Sequence, residues 1–313
     1  MKRADVLQIA LAELALAAAP RAAVAADLPM IRIGGGSNDN MGEPYYVRDG
    51  GFTKRHDLDA QITELGSGGA LTAAVAAGAL DVTITNIASI AAAHIRHLPV
   101  TVIAGGALYS ADAPPSTAIL VLKESAIRGP ADLAGKTIAL STLRDLQQAA
   151  IMAWLEKHGV APSSVNFAEL PNGAQIEALK AKRVDATMTS TPWMNAGLGD
   201  ARILATPYEV LGRRLLLTAW IANNTWLEAN KAVAVRLVTA IKETAKWANH
   251  NRPATAAILE RISKVTPATI ASMTRLEFAE RLDPQLIQPI IDASARYGFL
   301  PQTFPAASLL VSA

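Results

Sequence analysis

The sequence predicts an α/β fold of two lobes, each a mostly parallel sheet flanked by helices, and three observations point to it. The first is an internal echo. The stretch 64–86 reads Glu64-Leu65-Gly66-Ser67-Gly68-Gly69, an alanine-rich run, then Leu80-Asp81-Val82-Thr83-Ile84-Thr85-Asn86. Roughly 105 residues later come Glu169-Leu170-Pro171-Asn172-Gly173-Ala174, a helical run, then Val184-Asp185-Ala186-Thr187-Met188-Thr189-Ser190. Each copy is a strand end, a glycine-containing turn, a helix of about ten residues and a strand ending on a small polar residue. The second observation is length, since 313 residues suffice for two such lobes. The third is a pair of crossings: a composition break over 109–117 with Pro114-Pro115, and a return just before Leu215. A chain that leaves one lobe, builds another and comes back has the geometry of a hinge.

The bulk numbers narrow the function. The chain is 51% hydrophobic and 18% charged with a formal net charge of +2, and no lysine or arginine run is dense enough for nucleic acid. Aromatic residues, at 5%, are too scattered for base stacking. The absence of cysteine removes disulfides, thiolate metal sites and a thiol nucleophile. Lys2 and Arg3, an apolar run over 6–19 and Ala23-Val24-Ala25 read as a cleaved secretory signal over 1–25, interrupted by Asp5, Gln8 and Glu13. No later apolar run is long enough for a membrane-spanning helix. The expected product is an exported, soluble protein starting near Ala26. Its parts are 28–112 as the first portion of lobe I, 117–212 as lobe II and 215–313 as the returning portion of lobe I.

Taken in order, a strand over 30–34 runs into the turn formers Gly35-Gly36-Ser37-Asn38-Asp39-Asn40. Pro44 suits the first turn of a helix over 44–48, which Gly50-Gly51 ends. Ligands of open α/β sheets sit outside the carboxyl ends of strands. Ser37, Asn38, Asn40 and the helix-borne Tyr45 are therefore candidates for the cleft, with a solvated turn as the alternative. A strand over 60–65 feeds the first glycine turn, where Ser67, Gly68 and Gly69 open a helix over 70–77. Free N–H groups at such an end favour an anion or a polar oxygen. A strand over 82–85 delivers Asn86, and a helix over 87–96 follows. His94 and His97 have the spacing of a shared metal site, but no carboxylate pattern accompanies them, and they read as surface histidines. Neither a metal nor a cofactor is expected. A strand over 100–107 closes the first lobe.

In lobe II, strands over 118–122 and 137–140 flank a short helical turn over 129–136. Ser141-Thr142-Leu143-Arg144-Asp145 then opens a long helix to His158. Ser141 and Thr142 would add hydroxyls to an anion-ready helix end and Arg144 a positive charge; the alternative is a plain cap with Arg144 in solvent. A strand over 166–170, the second glycine turn, a helix over 175–182 and a strand over 186–190 lead to Thr191-Pro192-Trp193. Pro192 reads as the first helical residue behind Thr191, and Trp193 walls the ligand or packs at an interface. A short strand over 202–205 follows. An apolar strand over 215–222 places Trp220 near the cleft rim. An amphipathic helix over 231–251 should bury Val235, Leu237, Val238 and Ile241, and helices starting near Pro253, Pro267 and Pro284 should pack on lobe I.

The order of these markers resembles a family. Gly51-Phe52, Gly66-Ser67-Gly68-Gly69, Gly78 with Asp81, and Asp132-Leu133-Ala134-Gly135-Lys136-Thr137-Ile138-Ala139 come first. Val184-Asp185-Ala186, Pro192-Trp193, Trp247-Ala248-Asn249-His250-Asn251 and Tyr297-Gly298-Phe299-Leu300-Pro301 follow. Over 30–305 the chain is similar to the periplasmic substrate-binding proteins of ABC transporters for sulfonates, taurine, nitrate and thiamine-precursor pyrimidines. The resemblance implies a type II periplasmic-binding fold whose two lobes close on a small solute and deliver it to a membrane permease. It also implies ligand groups from the loops at 37–40, 67–69, Asn86, 141–144 and 191–193, without fixing one ligand class. The reading is of a non-enzymatic, monomeric binding protein for a small anionic or polar organic solute, with a permease as partner. Enzymes on the same fold are one alternative: aromatic sulfinate desulfinases, whose cysteine nucleophile this chain lacks, and a pyrimidine-synthesising enzyme. No Ser-His-carboxylate, HExxH or GxxxxGK[ST] pattern stands out. A sensory binding protein is the other alternative.

Overall fold

The computed structural model describes residues 28–310, so the expected leader over 1–25 lies outside the described residues. Four strands come first: β1 (Met30–Gly35), β2 (Asp59–Glu64), β3 (Val82–Asn86) and β4 (Val100–Gly105). β5 (Ala107–Ser110) leads out to β6 (Thr117–Leu122), β7 (Thr137–Leu140), β8 (Asn166–Glu169), β9 (Ala186–Ser190) and β10 (Ala201–Ala205). The chain returns through β11 (Arg214–Leu216) and β12 (Thr218–Asn223), and β13 (Glu277–Phe278) comes late.

Two five-stranded sheets result, in the orders β2-β1-β3-β12-β4 and β8-β7-β9-β6-β10. In the first, β1 pairs in parallel with β2 and β3, while β12 runs antiparallel to β3 and β4. In the second, β7 pairs in parallel with β8 and β9, while β6 runs antiparallel to β9 and β10. The sheets thus share one topology, and the sequence echo is its trace. The repeated aspartates are structural: Asp81 accepts the Arg32 amide at 2.8 Å, and Asp185 accepts the Thr137 amide at 2.9 Å. Each carboxylate ties the start of one strand to its parallel neighbour.

Alternation along the strands sorts side chains between two faces. Ile31, Ile33, Val82, Ile84, Trp220 and Ala222 point to one face of the first sheet and pack with Phe52, Leu237 and Ile241. Trp220 is 0% exposed and donates its indole N–H to Glu43 Oε2 at 2.6 Å. It packs in the core between the first sheet and the helices behind it, away from the cleft, so the expectation for Trp220 is corrected: it is a core residue. Helix Lys231–His250 buries Ala234, Leu237, Ile241, Thr244, Ala245 and Ala248 at helical spacing. Val235 is 67% exposed and lies off that stripe, which corrects its expected place.

The expected single strand over 215–222 is two strands with different duties. β11 pairs antiparallel with β5, and β13 joins the other side of β5, so the two crossings run side by side in a small sheet. β12 then enters the middle of the first sheet. On the far side of the hinge, helix Gln288–Arg296 reaches across to helix Leu146–Lys157. Arg296 pairs with Glu156 at 2.8 Å, and the Tyr297 hydroxyl donates to Glu156 at 2.6 Å. The C-terminal helices therefore touch both lobes, and the lobes are in contact.

Candidate functional site

The carboxyl ends of both sheets face each other, and the candidate residues distribute along that cleft. On the lobe I side, β1 ends in a loop that Asp39 anchors. Asp39 is 0% exposed and pairs with Arg275 at 2.9 Å, and it also accepts the Leu276 amide and the Tyr46 hydroxyl. Asn38 Oδ1 accepts the Met41 amide at 2.9 Å and so serves its own turn. The Asn40 carbonyl accepts the Thr218 hydroxyl, while Asn40 Oδ1 is buried with no partner. Ser37 is half-buried beside them. Tyr45 is 8% exposed and packs over Gly35, which leaves it little surface for a ligand.

The first glycine turn opens helix Gly68–Ala76, and Ser67 Oγ caps it by accepting the Ala70 amide at 3.3 Å. Asn86 caps the next helix, Ile87–Ile95, by accepting the Ser89 amide at 2.8 Å. Its Nδ2 crosses the cleft and donates to Asp145 Oδ2 of lobe II at 3.2 Å. Gly68 makes room for this contact, because a Cβ there would stand 2.1 Å from Asn86 Nδ2. Gly68→Ala is expected to cost about 1–3 kcal/mol through overpacking and to break the Asn86–Asp145 bridge. A crystal structure of the variant in which that bridge persists would refute this.

The long helix of lobe II does not open at Ser141. It spans Leu146–Lys157 with Asp145 as N-cap, its carboxylate accepting the Leu146 amide. The physical reason is twofold: aspartate is a favoured cap, and Arg144 sits at φ 56°, which no helical run from 141 can pass through. Ser141 instead gives its amide and hydroxyl to Gln147 Oε1 at 3.3 and 3.1 Å. Arg144 donates to the Gly298 carbonyl at 2.5 Å and stands 5.3 Å from the Phe299 ring centre, so it bridges to lobe I. Thr142, Arg144 and Gly69 do meet, around a cavity of about 280 Å³ that Ser89 and Phe299 also line.

Further along lobe II, helix Asn172–Lys180 has no side-chain cap. Trp193 is half-buried beside it, its Nε1 3.7 Å from a Cβ built on Gly173. Pro192 is the N-cap, not the first helical residue, of helix Trp193–Gly197. The Thr191 carbonyl accepts the Asp39 amide at 3.5 Å, a backbone link between the lobes. Asn172 Oδ1, Thr189 Oγ1 and Thr191 Oγ1 join Asn40 Oδ1 as buried atoms without partners. All four sit where strands end and helices begin. Leaving such an atom unpaired costs about 1–3 kcal/mol, and native proteins rarely do so without a bound partner.

Sequence reasoning missed Asp145, Asn172 and Thr189. The signals were present: Thr189 aligns with Thr85 in the echo, and Asp145 precedes the apolar run as a cap should. In the first copy the Thr85 hydroxyl donates to the Gly68 carbonyl at 2.9 Å; its counterpart in the second copy is the one left unpaired. Asp145 is 7% exposed, and burial pushes its carboxyl up to about 7, with nearby Glu169 adding to the shift and the Leu146 amide opposing it.

Two matching α/β lobes, joined by two crossings and meeting over a polar cleft, define the type II periplasmic-binding fold. The NMT1/THI5 like family matches residues 38–256, and the chain belongs to that family. Its structure is similar to that of the alkanesulfonate-binding protein SsuA from Xanthomonas axonopodis pv. citri bound to MOPS. The two are 19% identical, with a TM-score of 0.75 over 92% of this chain and 100% of that one. It is also similar to the periplasmic nitrate-binding protein NrtA from Synechocystis PCC 6803, 14% identical, with a TM-score of 0.74 over 90% of this chain and 85% of that one. A DszB variant in complex with biphenyl-2-sulfinic acid is 14% identical, with a TM-score of 0.67 over 90% of this chain and 96% of that one. At these identities the likeness is one of fold. No curated protein matches the chain.

Proposed function

We propose that this protein is an extracytoplasmic solute-binding protein that captures one small polar solute between its lobes and delivers it to an ABC permease. The observation that carries the reading is that four of the eight buried, unpartnered polar atoms among the described residues, Asn40 Oδ1, Asn172 Oδ1, Thr189 Oγ1 and Thr191 Oγ1, lie at strand ends of both lobes. A solute that bonded atoms on both sides would favour the closed arrangement over the open one by its differential affinity. The permease would read that closed form. Export rests on the expected leader over 1–25, and the alkanesulfonate- and nitrate-binding relatives support a small polar solute.

Catalysis on this fold has less support. The chain has no cysteine. His56 pairs with Glu243, His94 with Ser308, and His158 and His250 with carbonyls of their own helices, all away from the cleft.

A thermal-shift panel on the chain from Ala26 onward tests the reading, with alkanesulfonates, taurine, nitrate, bicarbonate, aromatic carboxylates and a hydroxymethylpyrimidine. At about a hundredfold over its Kd a true solute should stabilise by roughly 2.7 kcal/mol, a rise of several degrees. Trp193→Ala should weaken that solute by about tenfold if the indole covers it, a loss of about 1.4 kcal/mol. Unchanged affinity in Trp193→Ala would move the site elsewhere in the cleft.

A further inference from the structure

We propose that the hinge holds a second binding site, for a small oxyanion with phosphate or carboxylate chemistry, in a cavity that Arg252 and Arg275 both line. The cavity is about 420 Å³ and lies where the crossings meet. Ser110 and Ser116 line it from the first crossing, Arg214 from the return, and Thr274 and Arg275 from the approach to β13. None of the four unpartnered cleft atoms belongs to a residue of its walls. It adjoins the cleft all the same, because the Ser116 carbonyl accepts the Thr191 amide at 2.8 Å. The inference does not depend on the solute-binding reading.

Arg275 supplies the observation that asks for a ligand. Its side chain is nine-tenths buried, and Nε and Nη2 both donate to Asp39 Oδ1, at 3.1 and 2.9 Å. Nη2 also donates to the Tyr46 hydroxyl at 3.0 Å. A guanidinium carries five N–H donors in a rigid fork, so with the Nε–Nη2 edge filled, the two on Nη1 point away from Asp39. Nη1 is buried and has no acceptor. Arg275 lines the cavity and Asp39 and Tyr46 do not, which turns the open edge of the fork toward it. A buried charged donor left unpaired is among the costlier defects a fold can carry.

Arg252 is the second cation. Its Nη1 donates to the Leu276 carbonyl at 2.6 Å, and among the described residues no carboxylate pairs with it. The two carboxylates of the lining are already taken, Asp112 by Arg213 and Glu277 by Arg214 at 3.9 Å. Burial pushes the Arg252 guanidinium down, with Asp39 opposing the shift and Arg275 adding to it, so the two arginines feel each other's charge. Arg252 is also the first residue of helix Arg252–Ser263, which has no side-chain cap, and the positive end of that helix stands at the same wall. A cation here would meet like charge. An oxyanion would accept from Arg275 Nη1 and offset the repulsion between the guanidinium groups.

The test is isothermal titration of the mature chain with inorganic phosphate and, separately, with succinate, at an ionic strength held fixed with sodium chloride. Binding of either probe is expected, and the two arms tell a phosphate site from a carboxylate site. Arg252→Gln keeps an N–H for the Leu276 carbonyl, strands no carboxylate and removes the charge; it should weaken the bound probe about tenfold or more. Trp193→Ala, in the cleft, should leave probe affinity unchanged. Crystals of the unaltered chain soaked in phosphate or succinate should show the bound probe on Arg275 Nη1 and the Arg252 guanidinium. The inference is overturned if neither probe binds, if Arg252→Gln leaves affinity unchanged, or if water alone occupies Nη1 in the soaked crystals. Loss of probe binding in Trp193→Ala would put the oxyanion in the cleft and overturn it too. None of these outcomes decides the solute-binding reading, which stands or falls on the thermal-shift panel.

Discussion

Replacing Arg275 with methionine is expected to lower the free energy of unfolding by about 3–5 kcal/mol, the usual cost of stranding one member of a buried ion pair. Asp39 is 0% exposed, and the Arg275 side chain is only 9% exposed. In the variant the carboxylate keeps the Leu276 amide and the Tyr46 hydroxyl but loses its ion-pair partner. The measurement is a urea titration at pH 7, where the midpoint should fall with little change in slope. Adding Asp39→Asn should recover a large share of the loss, because the stranded charge is then removed with its partner. The pair also ties the loop bearing Asn38 and Asn40 to the returning segment. Solute affinity should therefore fall in the single variant and partly return in the double. A loss below about 1 kcal/mol, the range of exposed pairs, would mean that the ion pair is not what holds the loop.

The second large effect is a pH dependence set inside lobe I. Burial pushes Glu43 up to about 8 from a free value of 4.5, with the Trp220 indole N–H opposing the shift. Between those values the folded chain holds a proton that the unfolded chain has released, so stability falls as pH rises through the window. At about 1.4 kcal/mol per pH decade, wild type should lose roughly 4 kcal/mol from this group between pH 5 and pH 9. Glu43→Gln retains an oxygen to accept the Trp220 N–H and cannot ionise, so its stability should vary much less over that range. Asp145, pushed up to about 7 by burial, adds a smaller slope of the same sign. Parallel profiles for wild type and Glu43→Gln would show that Glu43 is already ionised in the folded protein.

Much of the architecture was legible in local pattern. The echoed strand–turn–helix units and the two crossings follow from spacing and residue type. What was not legible is what distant segments impose. Trp220 reads as a rim residue on an apolar strand, yet β12 inserts between β3 and β4, and that placement buries it. Arg144 reads as an anion ligand at a helix start, but its left-handed backbone and its reach to Gly298 depend on lobe I closing over it. Asn40 and Thr191 were legible as candidates and Thr189 through the echo, but that their atoms lack partners was not, since an asparagine or threonine at a strand end is equally at home bonded to its own turn. Val235 shows the converse error, an apolar residue within a good helical period that nonetheless faces solvent.

The place of β12 also bears on how the chain assembles as it leaves the ribosome. The second sheet is drawn wholly from 117–205, so all its strands are in hand before the return crossing is made. The first sheet is not: β3 and β4 emerge early but have no hydrogen-bonded contact with each other, because the strand between them is not synthesised until residue 223. Domains tend to fold as units in order of synthesis, and here the order is inverted, with the later-made lobe complete first. For the time it takes to make more than a hundred residues, β3 and β4 expose unpaired edges, the kind of surface that invites mispairing with other chains.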